Sequence, residues 1–202
     1  MVRLALSYER RANELYETPA WVTLALLSKM TLSRHLVEPA CGTGKIAAVL
    51  FHAGHVVFGN DIVDYGSMHQ NRESDFLTWR SMPEGFGSVC GNPPYGRGAA
   101  KLAQRFIEHA LGLTRMHSGQ VAMLLPADYD HAAGRAGLFG HPAFAGQVKL
   151  QRRIRWIEGS TGSPSQNHSW FVWDWRHRGL PFVLYADGRE QGSGEWPASD
   201  AG

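Results

Sequence analysis

Apolar positions follow two rhythms along the chain. Through the first two thirds, short unbroken apolar runs alternate with segments of helical period; in the last third only the short runs remain. The first helical segment is "AWVTLALLSKM". Thr18 stands where a cap belongs and Pro19 at the first helical position, which predicts a helix from about Pro19 to Lys29. Next, "HLVEPACGTGKIAAVLFHAG" reads as strand, glycine turn and a helix ending near Gly54. "HVVFGNDIVD", "GSVCGNPPY" and "GQVAMLLPADY" supply three further strands, with the helix "AAKLAQRFIEHALGL" between the last two. Apolar strands without alternation, interleaved with helices, predict a mostly parallel sheet covered on both faces. "KLQRRIRWI", "SWFVWDW" and "PFVLYA" follow without a helix between them and are expected to be antiparallel. The expectation is a seven-stranded α/β sheet in one domain, residues 1–186, followed by a Gly/Ser-rich tail, 187–202, that frays.

Composition changes this picture little. A chain of 202 residues fits one domain, and 44% hydrophobic with 19% charged residues is the balance of a globular protein. No run approaches the ~20 apolar residues of a membrane span, and the N-terminus turns charged after a short apolar patch without the marks of a signal peptide. The expected compartment is the cytoplasm. Cys41 and Cys90 lie far apart, each beside a glycine, in neither a zinc spacing nor a disulfide framework, and the histidines form no ligand pattern. No metal is expected. The net charge of +2 decides nothing, but its distribution does more. Lys149, Arg152, Arg153 and Arg155, then Arg176, His177 and Arg178, gather positive charge in the last third. That is a candidate surface for phosphates, or the solvated faces of two strands.

Candidate chemistry gathers at two stretches. In "EPACGTGKIA", Gly42 and Gly44 separate a strand from a helix, so backbone can approach a ligand closely. A phosphate-binding P-loop is excluded, because Pro39 and Ile46 stand where it needs a glycine and a Ser or Thr. A dinucleotide site stays open: Gly42, Gly44 and Ala47 fit GxGxxA, and Asp61 lies near the expected ribose-binding acid. The second stretch, Asn92-Pro93-Pro94-Tyr95, holds an amide and an aromatic ring around two prolines. Proline fixes its own φ and biases the residue before it toward extended backbone, so the Asn92 amide and the Pro93 carbonyl are aimed in advance.

Together, "EPACGTG" and "NPPY" resemble the cofactor and catalytic motifs of S-adenosylmethionine-dependent amino-methyltransferases of the N6-adenine type. "YETPAWVTLALL" and "SWFVWDW" resemble flanking segments of small phage-type members, so the likeness runs from Tyr16 to Trp175. The resemblance implies a Rossmann-like class I methyltransferase fold, S-adenosyl-L-methionine as cofactor, and nucleic acid, DNA foremost, as partner. It implies that Tyr16, Thr18 and Pro19 line the methionine end, that Pro39, Ala40, Cys41, Gly42 and Gly44 pass beneath it, and that Glu38 orders the amino-acid end. Asp61, with Ile62 beside it, would receive the ribose hydroxyls, and Asp75 and Phe76 the adenine. Asn92, next to the methyl group, and Pro93 would accept the two hydrogens of an exocyclic amine, stiffened by Pro94, while a base taken out of its stack rests on Tyr95.

Trp170 and Phe171 are expected to add an aromatic wall near that base, and Arg152, Arg153 and Arg155 to track phosphates. The same catalytic motif is shared, by resemblance, with RNA N6-adenine, RNA N2-guanine and protein-glutamine enzymes, and a silent cofactor-binding subunit of a heterodimer stays open. Only ~35 residues precede the first strand, which argues against the helical substrate domain of a glutamine enzyme. Cytosine carbon methylation needs a Pro-Cys pair, which the chain lacks. No stretch has the size of a target-recognition domain. Two glycine- and serine-rich loops, "PADYDHAAGRAGLFGHPAFAG" and "EGSTGSPSQNH", remain to close over a strand, so short sequence recognition, a homodimer or a specificity partner is expected.

Overall fold

The computed structural model describes residues 16–95, 100–156, 164 and 166–188. In chain order the elements are α1 (Ala20–Leu27), β1 (His35–Glu38), α2 (Lys45–His52), β2 (Val56–Asp61), β3 (Gln70–Glu73) and β4 (Ser88–Gly91). There follow α3 (Ala100–Thr114), β5 (Gln120–Pro126), α4 (Ala136–Phe139), β6 (Phe144–Leu150), β7 (His168–Asp174) and β8 (Phe182–Ala186). The strands form one sheet in the order β3-β2-β1-β4-β5-β7-β6-β8.

β2, β1, β4 and β5 pair in parallel, as the interleaved helices require, because a parallel return needs a crossover. β7 runs antiparallel to both of its neighbours, β5 and β6. The last pair differs from expectation: β8 lies parallel to β6, so β7 is the single reversed strand among the eight. Insertion of β7 between β5 and β6 reverses its own direction and leaves β6 and β8 aligned with the rest.

The strand count also departs from seven. β3 carries the sequence QNRE, of which only Gln70 is even half-buried; an edge strand with one pairing partner needs no apolar run, so periodicity misses it. The strand expected at "KLQRRIRWI" lies earlier, at Phe144–Leu150: it begins within the last three residues of a segment expected to be loop and keeps only Lys149 and Leu150 of the expected run, with Gln151 to Trp156 outside it. Most of the expected tail, and most of "EGSTGSPSQNH", fall outside the described residues.

The unalternated strands are explained by two cores, one on each face. Along β5, Val121, Met123 and Leu125 face a core with Phe106, Ile107 and Ala110 of α3, while Ala122 and Leu124 face one with Val22 and Leu26 of α1 and Ile46 and Leu50 of α2. "SWFVWDW" divides the same way. Trp170 joins the second core and donates its indole N–H to the Val22 carbonyl at 2.9 Å; Phe171 and Trp173 join the first, with Trp173 bonded to the Leu138 carbonyl at 2.9 Å. Buried Trp needs such a partner for its N–H.

Because β1 lies between β2 and β4, successive crossovers leave it in opposite directions, and a crevice opens at the carboxyl ends of these strands. His168, the first residue of the reversed β7, reaches the same edge, paired with Pro126 at the end of β5.

Candidate active site

The glycine loop is fixed from below. Gly42 and Gly44 have φ of +51° and +82°, values that L side chains rarely adopt, and a Cβ at Gly44 would collide with Ser67. Asp61 Oδ2 accepts the Gly42 N–H at 2.8 Å, and its Oδ1 accepts the Val63 N–H at 3.2 Å. Asn60, fully buried, donates from Nδ2 to the carbonyls of Pro39 at 3.1 Å and Ser74 at 3.0 Å. Ser74 returns a bond from Oγ to Asn60 Oδ1 at 2.7 Å and accepts the Trp79 indole N–H at 2.9 Å. From the other side, Thr43 Oγ1 donates to Glu17 Oε1 at 2.7 Å.

Asn92 follows the end of β4 and meets α1's leading segment. Its Nδ2 donates to Thr18 Oγ1 at 3.2 Å, while its Oδ1 is buried without a hydrogen-bond partner among the described residues. Thr18 therefore does not cap α1 as expected: Pro19 takes the cap position, with no side-chain cap bond, and Thr18 anchors Asn92 instead. The Tyr95 hydroxyl is likewise buried and unpaired.

These parts surround a cavity of about 300 Å³. Tyr16, Thr18, Glu38, Pro39 through Gly42, Asp61, Ile62, Asp75, Phe76 and Asn92 through Tyr95 all line it. Of the expected cofactor residues, Pro19 and Gly44 support this lining without joining it. Asp75 Oδ1 is engaged in capping its own short helical turn, accepting from Leu77 N–H at 2.9 Å. Phe76 is 1% exposed and packs edge-on to Trp79 and His109 while it lines the cavity.

Two groups lie elsewhere. Trp170 and Phe171 are 0% exposed in the two cores and offer no wall to a ligand; the aromatic density of that strand serves packing. Arg152, Arg153 and Arg155 are exposed but do not line the cavity. Arg152 stacks on Trp21, 4.7 Å from the ring centroid, and Arg153 binds Asn167 Oδ1 at 2.9 Å and the Pro164 carbonyl at 3.2 Å.

Sequence reading missed Glu17, Asn60 and Ser74, which clamp the loop, and Leu102, Arg105 and Phe106 of α3, which also line the cavity. The adjacency of Asn60 to Asp61 was the available signal. The α3 residues gave none: their helix follows Tyr95 closely, but an amphipathic period does not tell a face that borders a cavity from one that packs on the sheet.

Burial governs the electrostatics. Glu38 is 2% exposed; desolvation, with a lesser push from Asp61, raises its carboxyl well above the usual range against the pull of the Ala47 backbone N–H. One of its oxygens, Oε2, has no partner among the described residues. Burial, then Glu38 and Asp61, pushes the Cys41 thiol up to about 12, which rules out a thiolate at neutral pH. Burial also raises the Tyr95 phenol, so it stays protonated and able to donate. Among the described residues no cluster of three metal-ligating side chains exists, and no helix is long and apolar enough to cross a membrane.

No family model and no curated protein sequence matches the chain. Solved structures do. A protein of Pyrococcus horikoshii assigned as an RNA methyltransferase superposes with a TM-score of 0.60 at 14% identity, covering 80% of this chain and 86% of that one. A type I restriction-modification methyltransferase subunit of Streptococcus thermophilus gives 0.55 at 16% identity, over 79% and 44%. A protein of Listeria monocytogenes assigned as a class I S-adenosylmethionine-dependent methyltransferase gives 0.54 at 17%, over 83% and 62%. The chain thus spans less than two thirds of the Listeria and Streptococcus chains. The fold is the Rossmann-like one of class I methyltransferases.

Proposed function

We propose that this chain is an S-adenosylmethionine-dependent methyltransferase that methylates the exocyclic N6 of adenine in nucleic acid, DNA foremost, by direct displacement. The observation that carries the reading is Asn92 Oδ1: a buried amide oxygen at the cavity, its amide nitrogen bonded to Thr18, with no partner of its own among the described residues. An unpaired buried acceptor costs stability, and a ligand donor is what relieves it.

The cavity fits the cofactor. Glu38 Oε2 is a second unpaired oxygen, suited to the ammonium of an amino-acid end; Gly42 lets backbone pass close; Asp61 holds further lone pairs toward ribose hydroxyls; Ile62, 63% exposed, gives an apolar face to a purine. Bound, the cofactor supplies a methyl group on a positively charged sulfur. The protein supplies alignment and acceptors. Asn92 Oδ1 and the Pro93 carbonyl would accept the two amino hydrogens, turning the nitrogen lone pair toward the methyl carbon. These bonds strengthen as positive charge moves onto nitrogen, which is where transition-state stabilisation arises. The product loses its proton to water. Tyr95 offers a stacking face for the unstacked base.

The type I restriction-modification neighbour favours DNA, and the Pyrococcus neighbour keeps RNA as the second reading. Calorimetric titration separates the cofactor reading from the dinucleotide one. S-adenosylmethionine should bind at micromolar concentration and NAD should not compete. Asp61→Ala should weaken cofactor binding by about 1–3 kcal/mol, as lost charged hydrogen bonds do. Tight NAD binding with no response to S-adenosylmethionine rejects the proposal.

A further inference from the structure

At the catalytic edge, beneath Tyr95, lies a second set of polar atoms that the proposed chemistry does not use. His168 is 1% exposed, and neither ring nitrogen makes a hydrogen bond of acceptable geometry among the described residues. Its ring lies 6.0 Å from that of Tyr95, centroid to centroid and tilted by 43°, and stands edge-on to Trp156 at 5.1 Å. Trp156 in turn is edge-on to Tyr16, a cavity residue, at 5.8 Å. An imidazole so placed is held mainly by ring packing; apart from a pull from the Gln166 backbone, its nitrogens find no partner among the described residues.

A buried imidazole without partners is a poor structural choice. Phenylalanine would make the same ring contacts without the cost of desolvating two nitrogens. Burial lowers the His168 pKa to about 4, against the opposing pull of the Gln166 backbone and the Asp128 carboxylate, so the ring is neutral at pH 7 and one nitrogen is an acceptor. The Tyr95 phenol beside it is an unpaired donor. Their rings are neighbours, 6.0 Å apart between centroids, and the donor's ring forms part of the cavity wall.

We propose that His168 is a positioning residue for the target base: when a planar base stacks on Tyr95, the Tyr95 side chain shifts so that its hydroxyl donates to the His168 imidazole, which holds the stacking ring in place. The ladder pairing of His168 with Pro126 fixes the acceptor on rigid sheet rather than on a loop. Trp156 packs edge-on against the imidazole, and Tyr16 packs in turn on Trp156. The inference rests on the methyl-transfer reading, since it needs a flat acceptor in the cavity.

The test compares His168→Phe, which keeps the ring contacts and removes both nitrogens, with His168→Asn and His168→Gln, which keep an acceptor at the reach of Nδ1 or Nε2. Methyl transfer to an adenine-containing single-stranded oligonucleotide and thermal unfolding are measured for each. His168→Phe should melt no lower than wild type and bind cofactor equally well, yet raise KM for the oligonucleotide roughly five- to tenfold, the worth of one hydrogen bond. One of the two amide variants should restore KM. Tyr95→Phe should raise KM similarly, and adding His168→Phe to it should change nothing further. Wild-type KM in His168→Phe, a lower melting temperature, or additive effects with Tyr95→Phe would each overturn the role alone. A wild-type protein that methylates no nucleic acid would overturn the underlying function, and this role with it.

Discussion

The two ends of the same sheet treat buried polar groups in opposite ways. At the amino ends of the parallel strands, Gln120 Oε1 accepts from the Ser33 N–H at 2.8 Å and Oγ at 3.2 Å, while its Nε2 donates to the Thr31 carbonyl at 3.2 Å and Asp174 Oδ2 at 2.9 Å. Ser88 Oγ completes the set, accepting the Gln120 N–H at 2.9 Å and donating to Ser33 Oγ at 2.8 Å. The Gln120 amide spends both its donors and both its acceptor sites. At the carboxyl ends, Glu38 Oε2, Asn92 Oδ1, the Tyr95 hydroxyl and both His168 nitrogens are buried without hydrogen-bond partners among the described residues. Around the cavity, Glu38, Asn92 and Tyr95 each hold a polar atom that finds no partner among the described residues, whereas the Gln120 network at the opposite end leaves none of its own unpaired. A satisfied network rigidifies a fold; unsatisfied groups of this kind cost stability and are explained by what binds them.

Breaking each edge should therefore give opposite phenotypes. Asn92→Ala should reduce methyl transfer by at least about 100-fold, the loss typical when one preorganised charge-stabilising group is removed. Its melting temperature and cofactor affinity should stay near wild type. Steady-state kinetics beside calorimetry reads both, and near-normal turnover would end the amino-acceptor role. Gln120→Ala should do the reverse. It strands the Ser33 N–H and the Asp174 carboxylate, so it should cost about 2–4 kcal/mol in denaturant unfolding while the surviving folded fraction keeps its cofactor affinity.

The smallest effect sharpens the comparison through pH. The raised Glu38 pKa means that folding favours the protonated carboxyl, so this group's contribution is full below its ordinary value of 4.5 and is lost as pH climbs toward the folded value. Glu38→Gln removes that dependence. Relative to wild type it should gain stability progressively above about pH 4.5 and show no gain below it. Melting curves across the range give the slope, and a gain that grows toward low pH would contradict the assigned cause.

How much of this was legible beforehand follows from where each signal lies. Glu38, the two glycines and Asp61 are read from a strand ending in a glycine turn, and Asn92 to Tyr95 from two prolines; in each case backbone constraint leaves a mark in the residue types themselves. Burial on both faces of β5 and β7 was legible for the same reason, since unalternated runs have no solvent side. β3 was not, because an exposed edge strand of QNRE has no apolar signature. Trp170 and Phe171 were misplaced because an aromatic run looks alike whether it stacks on a ligand or fills two cores, and only the register of β7 between β5 and β6 decides. His168 begins that same strand, and its relation to Tyr95 is a contact between β7 and the segment after β4 that no local pattern announces.

The central claim is that the unpaired acceptors at the carboxyl edge are matched to an amino group beside a methyl donor. The most direct measurement incubates the protein with methyl-labelled S-adenosylmethionine and DNA, RNA or oligonucleotide, digests the product to nucleosides, and identifies the labelled species by chromatography with mass detection. The account predicts label in N6-methyladenine from wild type and none from Asn92→Ala. Label on a ring carbon, on a protein side chain alone, or equal N6-methyladenine from Asn92→Ala would contradict it.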